Sequence, residues 1–292
     1  MYELIKAGEN TFYIDCPAKI GVYRLNDGEA VVIDGGSDKD AGKKILKILA
    51  ENNWKLTAVY NTHSHADHTG GNALLQERTG CKIYIPAFEQ VFTKYPVLEP
   101  TMLYGGFAPA DLHNKFLVAK ESRAEALTPD VLPAGFELIP LPGHSYDMAA
   151  IRTPDDVLFL GDCLSSERVL EKYQISFAYD IKAYLESLEK VKTLKASLFI
   201  PAHADACTEI ADLCDINIAK SYEIAGRITA FCADAKSFEE ILQKLFADYA
   251  LTMTFQQYAL VGFTVRSYIA WLRNEGKLEP IISDNRLLWH AV

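Results

Sequence analysis

The segment from His63 to His68 holds a dense cluster of side chains that can bind metal. It reads His-x-His-x-Asp-His and places three of the chain's seven histidines within six residues, with Asp67 between them. Imidazole and carboxylate groups are the usual protein ligands of zinc and iron in catalytic sites. The spacing therefore predicts a metal site on one short loop, and the clustering disfavours a polar loop of solvated histidines.

The elements around this loop predict where it lies in the fold. Residues 56–61 are apolar and β-branched, which is typical of a buried strand, and residues 70–78 resemble the start of a helix. The loop would then follow the carboxyl end of a strand, where α/β folds place their chemistry. His63 and His65 would point the same way, while the last two residues of the motif would turn toward a second point.

Three further residues that can bind metal follow predicted strands. His144 follows an alternating segment, and Asp162 and His203 each follow an apolar one. The predicted strands are 136–141, 156–160 and 197–200. A single histidine after a strand is more often structural, but three such strand ends together with the His-x-His-x-Asp-His loop favour one shared site.

At these residues the chain resembles the metallo-β-lactamase superfamily, whose site positions would all be filled. The matching residues are His63, His65, Asp67, His68, His144, Asp162 and His203. The resemblance covers about residues 1–220. It implies an α/β fold, an αββα sandwich in which two sheets lie face to face between helices, with the metal site at one edge. It also implies two divalent metal ions, zinc first, with iron or manganese as alternatives.

The resemblance divides these residues between the two ions. The first ion would be held by His63, His65 and His144. The second would be held by Asp67, His68 and His203, and Asp162 would bridge the two. Enzymes of this superfamily that destroy β-lactam antibiotics lack the bridging carboxylate. The chain is more similar to the glyoxalase II, β-lactamase-like 2, alkylsulfatase, ribonuclease and persulfide dioxygenase branches.

The resemblance implies three candidate activities. In the favoured one, a hydroxide that bridges the two ions attacks a small ester or thioester, and Asp67 acts as the catalytic residue that orients it. In the second, the centre cleaves RNA or another phosphodiester, as in the mitochondrial β-lactamase-like endoribonuclease, which shares the Gly-Asp-Cys run around Asp162. In the third, one iron held by His63, His144 and Asp162 serves a persulfide dioxygenase.

Charge and composition restrict the partners. The 292 residues carry a formal net charge of −10, with a pI near 5.2. This balance disfavours nucleic acid or an anionic membrane and favours a small-molecule substrate. We find no secretory signal and no apolar run near the roughly 20 residues of a membrane span. The six cysteines form no Cys-x-x-Cys pair, as expected of a cytoplasmic protein, and we interpret Cys163 as a packing residue.

Two regions outside the ligand motifs are expected to support the site. Asp34 ends an early predicted strand and either steadies the metal loop or caps a turn. Residues 86–132 form an aromatic-rich insertion that is expected to act as a lid. Tyr104 and Phe107 are its candidate substrate contacts, with simple packing of these aromatics as the alternative. His113 matches no ligand position and is expected at the surface or in the lid.

Residues 221–292 are predicted to form a separate winged-helix-like domain. A Ser-x-x-Glu capping box at Ser237 begins one helix, a second helix covers 264–273, and two strands follow as the wing. From Lys220 to the end, eight Lys and Arg balance eight Asp and Glu. DNA binding would require a basic stripe. We therefore expect this segment to pack, to form a lid or to mediate a homodimer.

Overall fold

A computed structural model describes residues 2–292. The strands are β1 (Glu3–Lys6), β2 (Thr11–Asp15), β3 (Ile20–Asn26), β4 (Glu29–Ile33), β5 (Lys55–Tyr60), β6 (Lys82–Ile85), β7 (Ala124–Ala126), β8 (Glu137–Pro140), β9 (Ala149–Arg152), β10 (Val157–Ser165), β11 (Leu198–His203), β12 (Leu278–Ser283) and β13 (Arg286–Ala291). The helices are α1 (Lys39–Glu51), α2 (Ala66–Thr69), α3 (Asn72–Thr79), α4 (Gln90–Lys94), α5 (Leu98–Tyr104), α6 (Glu167–Tyr173), α7 (Ile181–Thr193), α8 (Ala211–Phe231), α9 (Phe238–Asp248) and α10 (Phe255–Asn274).

The first sheet contains β1 to β7 in chain order. Its first four strands are antiparallel, and β4 to β7 are parallel. Because β4 and β5 are parallel neighbours, the chain leaves both of them at the same edge. Asp34 and the loop that carries His63 are therefore brought side by side.

The second sheet has the order β11-β10-β9-β8, and β10 and β11 run parallel. Side chains of β4 show how the layers stack. Val31 and Ile33 pack against Phe159 of the second sheet, while Val32 on the opposite face packs against Ile45 of α1. The outer face of the second sheet packs on α7 and α8. These four layers form the predicted αββα sandwich.

Residues 86–132 lie partly outside the sandwich and partly within it. They hold α4 and α5 and end in β7, which pairs with β6 as an edge strand of the first sheet. Leu103, Leu112 and Leu117 are buried against Ala259 of α10. This segment is therefore held between the first sheet and the C-terminal helix rather than projecting freely.

The C-terminal elements follow the predicted order of two helices and a strand pair. α9 begins at a capping box formed by Ser237 and Glu240, and β12 pairs with β13 in an antiparallel hairpin. α10 is longer than predicted because Thr254 caps it, so that the helix begins at Phe255, nine residues before the start expected from the apolar pattern. The predicted boundary after residue 220 falls inside the unbroken helix α8.

The C-terminal elements share one core with the sandwich. Buried side chains of α9 and α10, among them Leu245, Val265 and Leu272, join the core formed by the second sheet, α7 and α8. Within residues 2–292, no helix has the length and apolar character needed to cross a membrane.

Candidate metal centre

The His-x-His-x-Asp-His loop lies where the sequence predicts it. It follows the end of β5 at Tyr60 and runs into α2, whose four residues include Asp67 and His68. His63 and His68 are completely buried. Both ends of the motif are thus buried, while Ser64, His65 and Asp67 between them are partly exposed.

Asp162 differs from its predicted position because it lies within β10 rather than after it. The register with β11 shifts between Phe159 and Gly161, and Gly161 takes a left-handed φ of 55°. A bulge of this kind re-aims the side chains beside it. Asp162 Oδ2 lies 3.2 Å from Nε2 of His203, the last residue of β11.

A glycine sets the approach of His144 to α7. Gly143 has a φ of 124°, and a Cβ atom there would lie 2.1 Å from the backbone nitrogen of Tyr184. Its carbonyl accepts hydrogen bonds from the backbone N–H groups of Tyr179 and Asp180. Any larger residue would force the loop away from the helix, so Gly143 fixes the position of the histidine that follows.

Four ligand atoms converge on a first point. Nδ1 of His65 lies 3.0 Å from Nε2 of His63 and 2.9 Å from Nε2 of His144. Oδ2 of Asp162 lies 4.0 Å and 3.5 Å from the same two Nε2 atoms. All four atoms lie within 4.8 Å of one another. Ligands held about 2.0–2.2 Å from a tetrahedral zinc ion lie at such separations.

A second convergent group shares Asp162. Nε2 of His203 lies 3.2 Å from Oδ2 of Asp67. Nε2 of His68 lies 3.0 Å from Oδ1 of Asp162 and 3.8 Å from Oδ2 of Asp67. These four residues also offer atoms within 4.8 Å of one another. The structure thus brings all seven predicted ligands into two groups that meet at Asp162.

Unpaired polar atoms at this junction show that the donor set suits a metal. His68 Nε2 and Asp162 Oδ1 are 3.0 Å apart, yet both are buried and neither makes a hydrogen bond of acceptable geometry. Such atoms are destabilising unless a partner satisfies them. A divalent cation would bind both atoms, and the mixture of imidazole and carboxylate ligands suits zinc, iron or manganese.

Burial and charge act differently on the histidines of the two groups. Burial lowers the pKa of His63 well below its usual value and that of His144 to about 4, so both rings are neutral with a free lone pair. Asp162 raises the pKa of His203 to about 10. The pKa of His68 is raised well above its usual value, since the nearby carboxylates outweigh the effect of burial. A cation entering the second group must therefore displace protons.

Asp34 contacts the metal loop, which is one of the two roles predicted for it. Oδ1 accepts a hydrogen bond from the backbone N–H of Thr62 at 2.8 Å, and Oδ2 lies 2.8 Å from Nδ1 of His68. Asp34 adopts a left-handed φ of 66°, a conformation that Asp and Asn tolerate better than other side chains. These contacts orient His68 so that its Nε2 faces the centre.

Aromatic side chains that no motif marked cover the first group. The ring of Phe177 lies 5.0 Å from that of His65 and 5.6 Å from that of His144. It also stacks on Phe263 of α10, with centroids 5.3 Å apart and planes 4° from parallel. The C-terminal helix therefore forms part of the wall of the centre. Nothing in the local sequence of either phenylalanine signals this contact.

Two buried glutamates of the 86–132 segment lie beside the loop, and no sequence motif marks either of them. Glu89 accepts hydrogen bonds from the backbone N–H and the hydroxyl of Ser64. Oε1 of Glu99 lies 3.8 Å from Nε2 of His65. Burial, reinforced by the charge of Glu89, raises the pKa of Glu99 to about 8.

Tyr104 and Phe107, the predicted substrate contacts, have their ring contacts elsewhere. Tyr104 lies 6.2 Å from Phe255, and Phe107 lies 6.4 Å from His113 and is 90% exposed. Tyr104 is the last residue of α5 and Phe107 follows the helix, where the chain emerges into solvent. The segment reaches the metal loop through its glutamates instead.

The two groups differ in exposure. The side chains of Asp67 and His203 are 41% and 28% exposed, whereas that of Asp162 is 10% exposed. Solvent therefore reaches the centre from the side of the second group.

Comparison with known sequences matches the part of the chain that carries these ligands to a protein family. A family model described as the metallo-beta-lactamase superfamily matches residues 13–203. The chain is 30% identical over 177 residues to a hydroxyacylglutathione hydrolase from Hyphomonas neptunium, covering 59% of this chain and 56% of that protein. It is 25% identical over 197 residues to a beta-lactamase-like protein 2 homolog from Caenorhabditis elegans, covering 66% and 58%. The chain thus spans little more than half the length of these curated relatives.

A solved structure shares the fold. A beta-lactamase domain protein from Burkholderia ambifaria superposes with a TM-score of 0.73 at 18% identity, covering 99% of this chain and 94% of that one. The family model spans all seven residues of the two ligand groups. The predicted resemblance to this family, including its glyoxalase II and β-lactamase-like 2 branches, is confirmed. The chain belongs to the metallo-beta-lactamase superfamily.

Proposed function

We propose that the protein is a metal-dependent hydrolase that uses two divalent ions, zinc first, to cleave a small ester or thioester. The observation that carries this proposal is that Asp162 belongs to two convergent groups of ligand atoms. A centre for one ion would need only one such group. The carboxylate between them suits a bridging ligand.

The proposed roles follow from position. The first ion would be held by His63, His65 and His144, and the second by Asp67, His68 and His203. Asp162 would hold both. Two such ions would supply Lewis-acid chemistry at the site, activating a water near neutral pH and polarising the carbonyl under attack. Asp67 lies on the exposed side, where its carboxylate can orient that water and accept its proton.

The substrate class rests on the relatives and on the walls of the site. The hydroxyacylglutathione hydrolases among the relatives act, by name, on a thioester. Phe177 and Phe263 offer an apolar wall beside the first group for the acyl part of a small molecule. Within residues 2–292, the ion pairs of Asp67 and Asp162 are all with histidines, so these carboxylates hold no lysine or arginine at the centre that could bind an anionic glutathione part. The proposed substrate is therefore a small ester or thioester without a glutathione requirement.

An activity panel tests this function. The purified full chain, loaded with zinc, is assayed with an aryl ester, an acyl thioester and an aryl phosphodiester. We expect turnover of the ester or thioester that a chelator abolishes, that Asp67→Ala lacks, and that Asp111→Ala retains, since Asp111 is an exposed acid that belongs to neither ligand group. Phosphodiester cleavage without ester or thioester turnover would contradict the proposed substrate class.

A single-iron oxygenase is the second candidate because one observation favours it. His63, His144 and Asp162 lie in the same group, and two histidines with one carboxylate are the usual ligands of non-haem iron oxygenases. The test is oxygen uptake by iron-loaded protein with a persulfide. Uptake at about one iron per chain, without ester hydrolysis, would replace the first proposal with this one.

A further inference from the structure

The ligand histidines each direct one ring nitrogen toward the centre and the other toward the protein. In His63 the outward Nδ1 lies 3.0 Å from Oγ1 of Thr62. In His68 it lies 2.8 Å from Oδ2 of Asp34. These contacts fix the orientation of both rings, as groups around ligand histidines generally do.

The same holds for the two histidines that come from other strand ends. Nδ1 of His144 lies 3.1 Å from the carbonyl oxygen of Phe177. Nδ1 of His203 lies 3.0 Å from the carbonyl oxygen of Pro17. In both residues a carbonyl can only accept, so it favours the tautomer that carries its proton on Nδ1 and leaves Nε2 free for a cation.

His65 is turned the other way. Its Nδ1 points inward, 3.0 Å from Nε2 of His63 and 2.9 Å from Nε2 of His144. Its outward atom is therefore Nε2, which must carry the proton if Nδ1 is to bind an ion. Glu99 offers the carboxylate that faces this Nε2, with Oε1 at 3.8 Å.

Glu99 is placed to accept a hydrogen bond from this nitrogen. It is 9% exposed, it lies in the first turn of α5, and within residues 2–292 its carboxylate makes no hydrogen bond that would compete. The neighbouring Glu89 is already used, since it accepts from Ser64 and from the backbone N–H of Asp147. A buried carboxyl group without a hydrogen-bond partner is costly, and the Nε2–H of His65 would satisfy one of its oxygens after a small closing movement.

We propose that Glu99 is a positioning residue that accepts a hydrogen bond from Nε2–H of His65 and thereby holds Nδ1 toward the first ion. This role makes the 86–132 segment a structural part of the metal centre rather than only a cover. The inference rests on the metal centre of the proposed function and is independent of which substrate is hydrolysed.

Zinc affinity of the full-length chain tests this role. Wild type, Glu99→Ala, Glu99→Gln and the exposed control Glu121→Gln are titrated with zinc against a chromophoric chelator. We expect Glu99→Ala to weaken binding of one of the two ions by about 10- to 100-fold, the usual effect of removing a group that orients a ligand histidine. Glu99→Gln, which keeps an acceptor, should recover most of that loss. Glu121→Gln should bind as wild type does.

The cobalt-substituted proteins supply a second readout. We expect the visible absorption bands of bound Co²⁺ to change in Glu99→Ala and to return toward wild type in Glu99→Gln. Wild-type affinity and spectrum in Glu99→Ala would overturn the proposal. So would an equal loss in both Glu99 variants together with a matching fall in melting temperature, because that pattern indicates packing alone. Absence of ester hydrolysis in the wild type would count against the proposed function and leave this result standing.

Discussion

The two halves of the metal centre are built in opposite ways. The first half, around His65 and His144, is roofed by Phe177 and faces a buried glutamate. The second half, around Asp67 and His203, is partly open to solvent. The difference separates two tasks: the sheltered half can fix geometry and exclude water, while the open half can admit substrate and exchange protons.

The halves also draw their support from different parts of the chain. The second half is braced by Asp34 and Pro17, which belong to the strands at the start of the first sheet. The first half is braced by Glu99 of α5 and, through Phe177, by Phe263 of α10. Changes in the peripheral helices should therefore alter the first half selectively, and changes near β4 should alter the second.

Loss of the shared carboxylate should weaken metal binding in both halves. Asp162→Asn keeps the shape of the side chain but removes the charge that faces both groups. We expect zinc binding at both positions to weaken by more than about 100-fold, beyond the usual effect of losing an outer supporting group. Elemental analysis after dialysis measures this, with Asp111→Asn as the exposed control. Two tightly held ions in Asp162→Asn would show that this carboxylate is not shared.

Asp67→Ala should affect the open half alone. Its side chain is 41% exposed, so its removal should leave the fold intact. We expect turnover to fall by about 10²- to 10⁴-fold, the usual contribution of a positioned acid or base. Steady-state kinetics at saturating zinc measure the loss, and circular dichroism checks the fold. Turnover near the wild-type value would refute the role of Asp67.

Asp34→Asn should weaken the second half more than the first, which Asp34 reaches only through Thr62. Asn tolerates the left-handed φ of 66° at this position, but it replaces the carboxylate that faces Nδ1 of His68. We expect about a tenfold or greater loss of affinity for one ion. Stepwise zinc titration should show one site weakened clearly more than the other. Equal weakening of both sites would mean that the halves are not independently supported.

Phe263→Leu should produce the smallest effect, confined to the sheltered half. It removes the stacking of Phe263 on Phe177, a contact worth about 0.5–1.5 kcal/mol. We expect a modest drop in melting temperature and a raised KM with both ions retained. The matched control is Phe255→Leu on the same helix, since that ring lies 6.2 Å from the outward-facing Tyr104. Identical kinetics in the two variants would show that α10 does not shape the site.

The ligands could be predicted from the sequence because each one is a local signal. Every one of them lies at or near the end of an apolar strand, and parallel neighbours carry such ends to one edge. The bulge that turns Asp162 inward could not be predicted, because it depends on pairing with a strand about 40 residues later.

The walls of the site escaped prediction for a related reason. Phe177 and Phe263 are far apart in the chain and meet only after α10 packs on the sandwich. Glu99 resembles an ordinary surface glutamate in a helix, and only its burial marks it out. The aromatic composition of the 86–132 segment shows that it has apolar side chains to bury, but not which way they point. The expected contacts of Tyr104 and Phe107 with the site could therefore not be derived from it.

Metal stoichiometry tests the central claim most directly. Zinc is measured per chain by elemental analysis in the saturated, dialysed wild type and in His144→Ala, which removes a ligand of the sheltered half only. The account predicts about two ions per chain in the wild type and about one in the variant. One ion or fewer in the wild type, or no change in His144→Ala, would contradict a two-ion centre that shares Asp162.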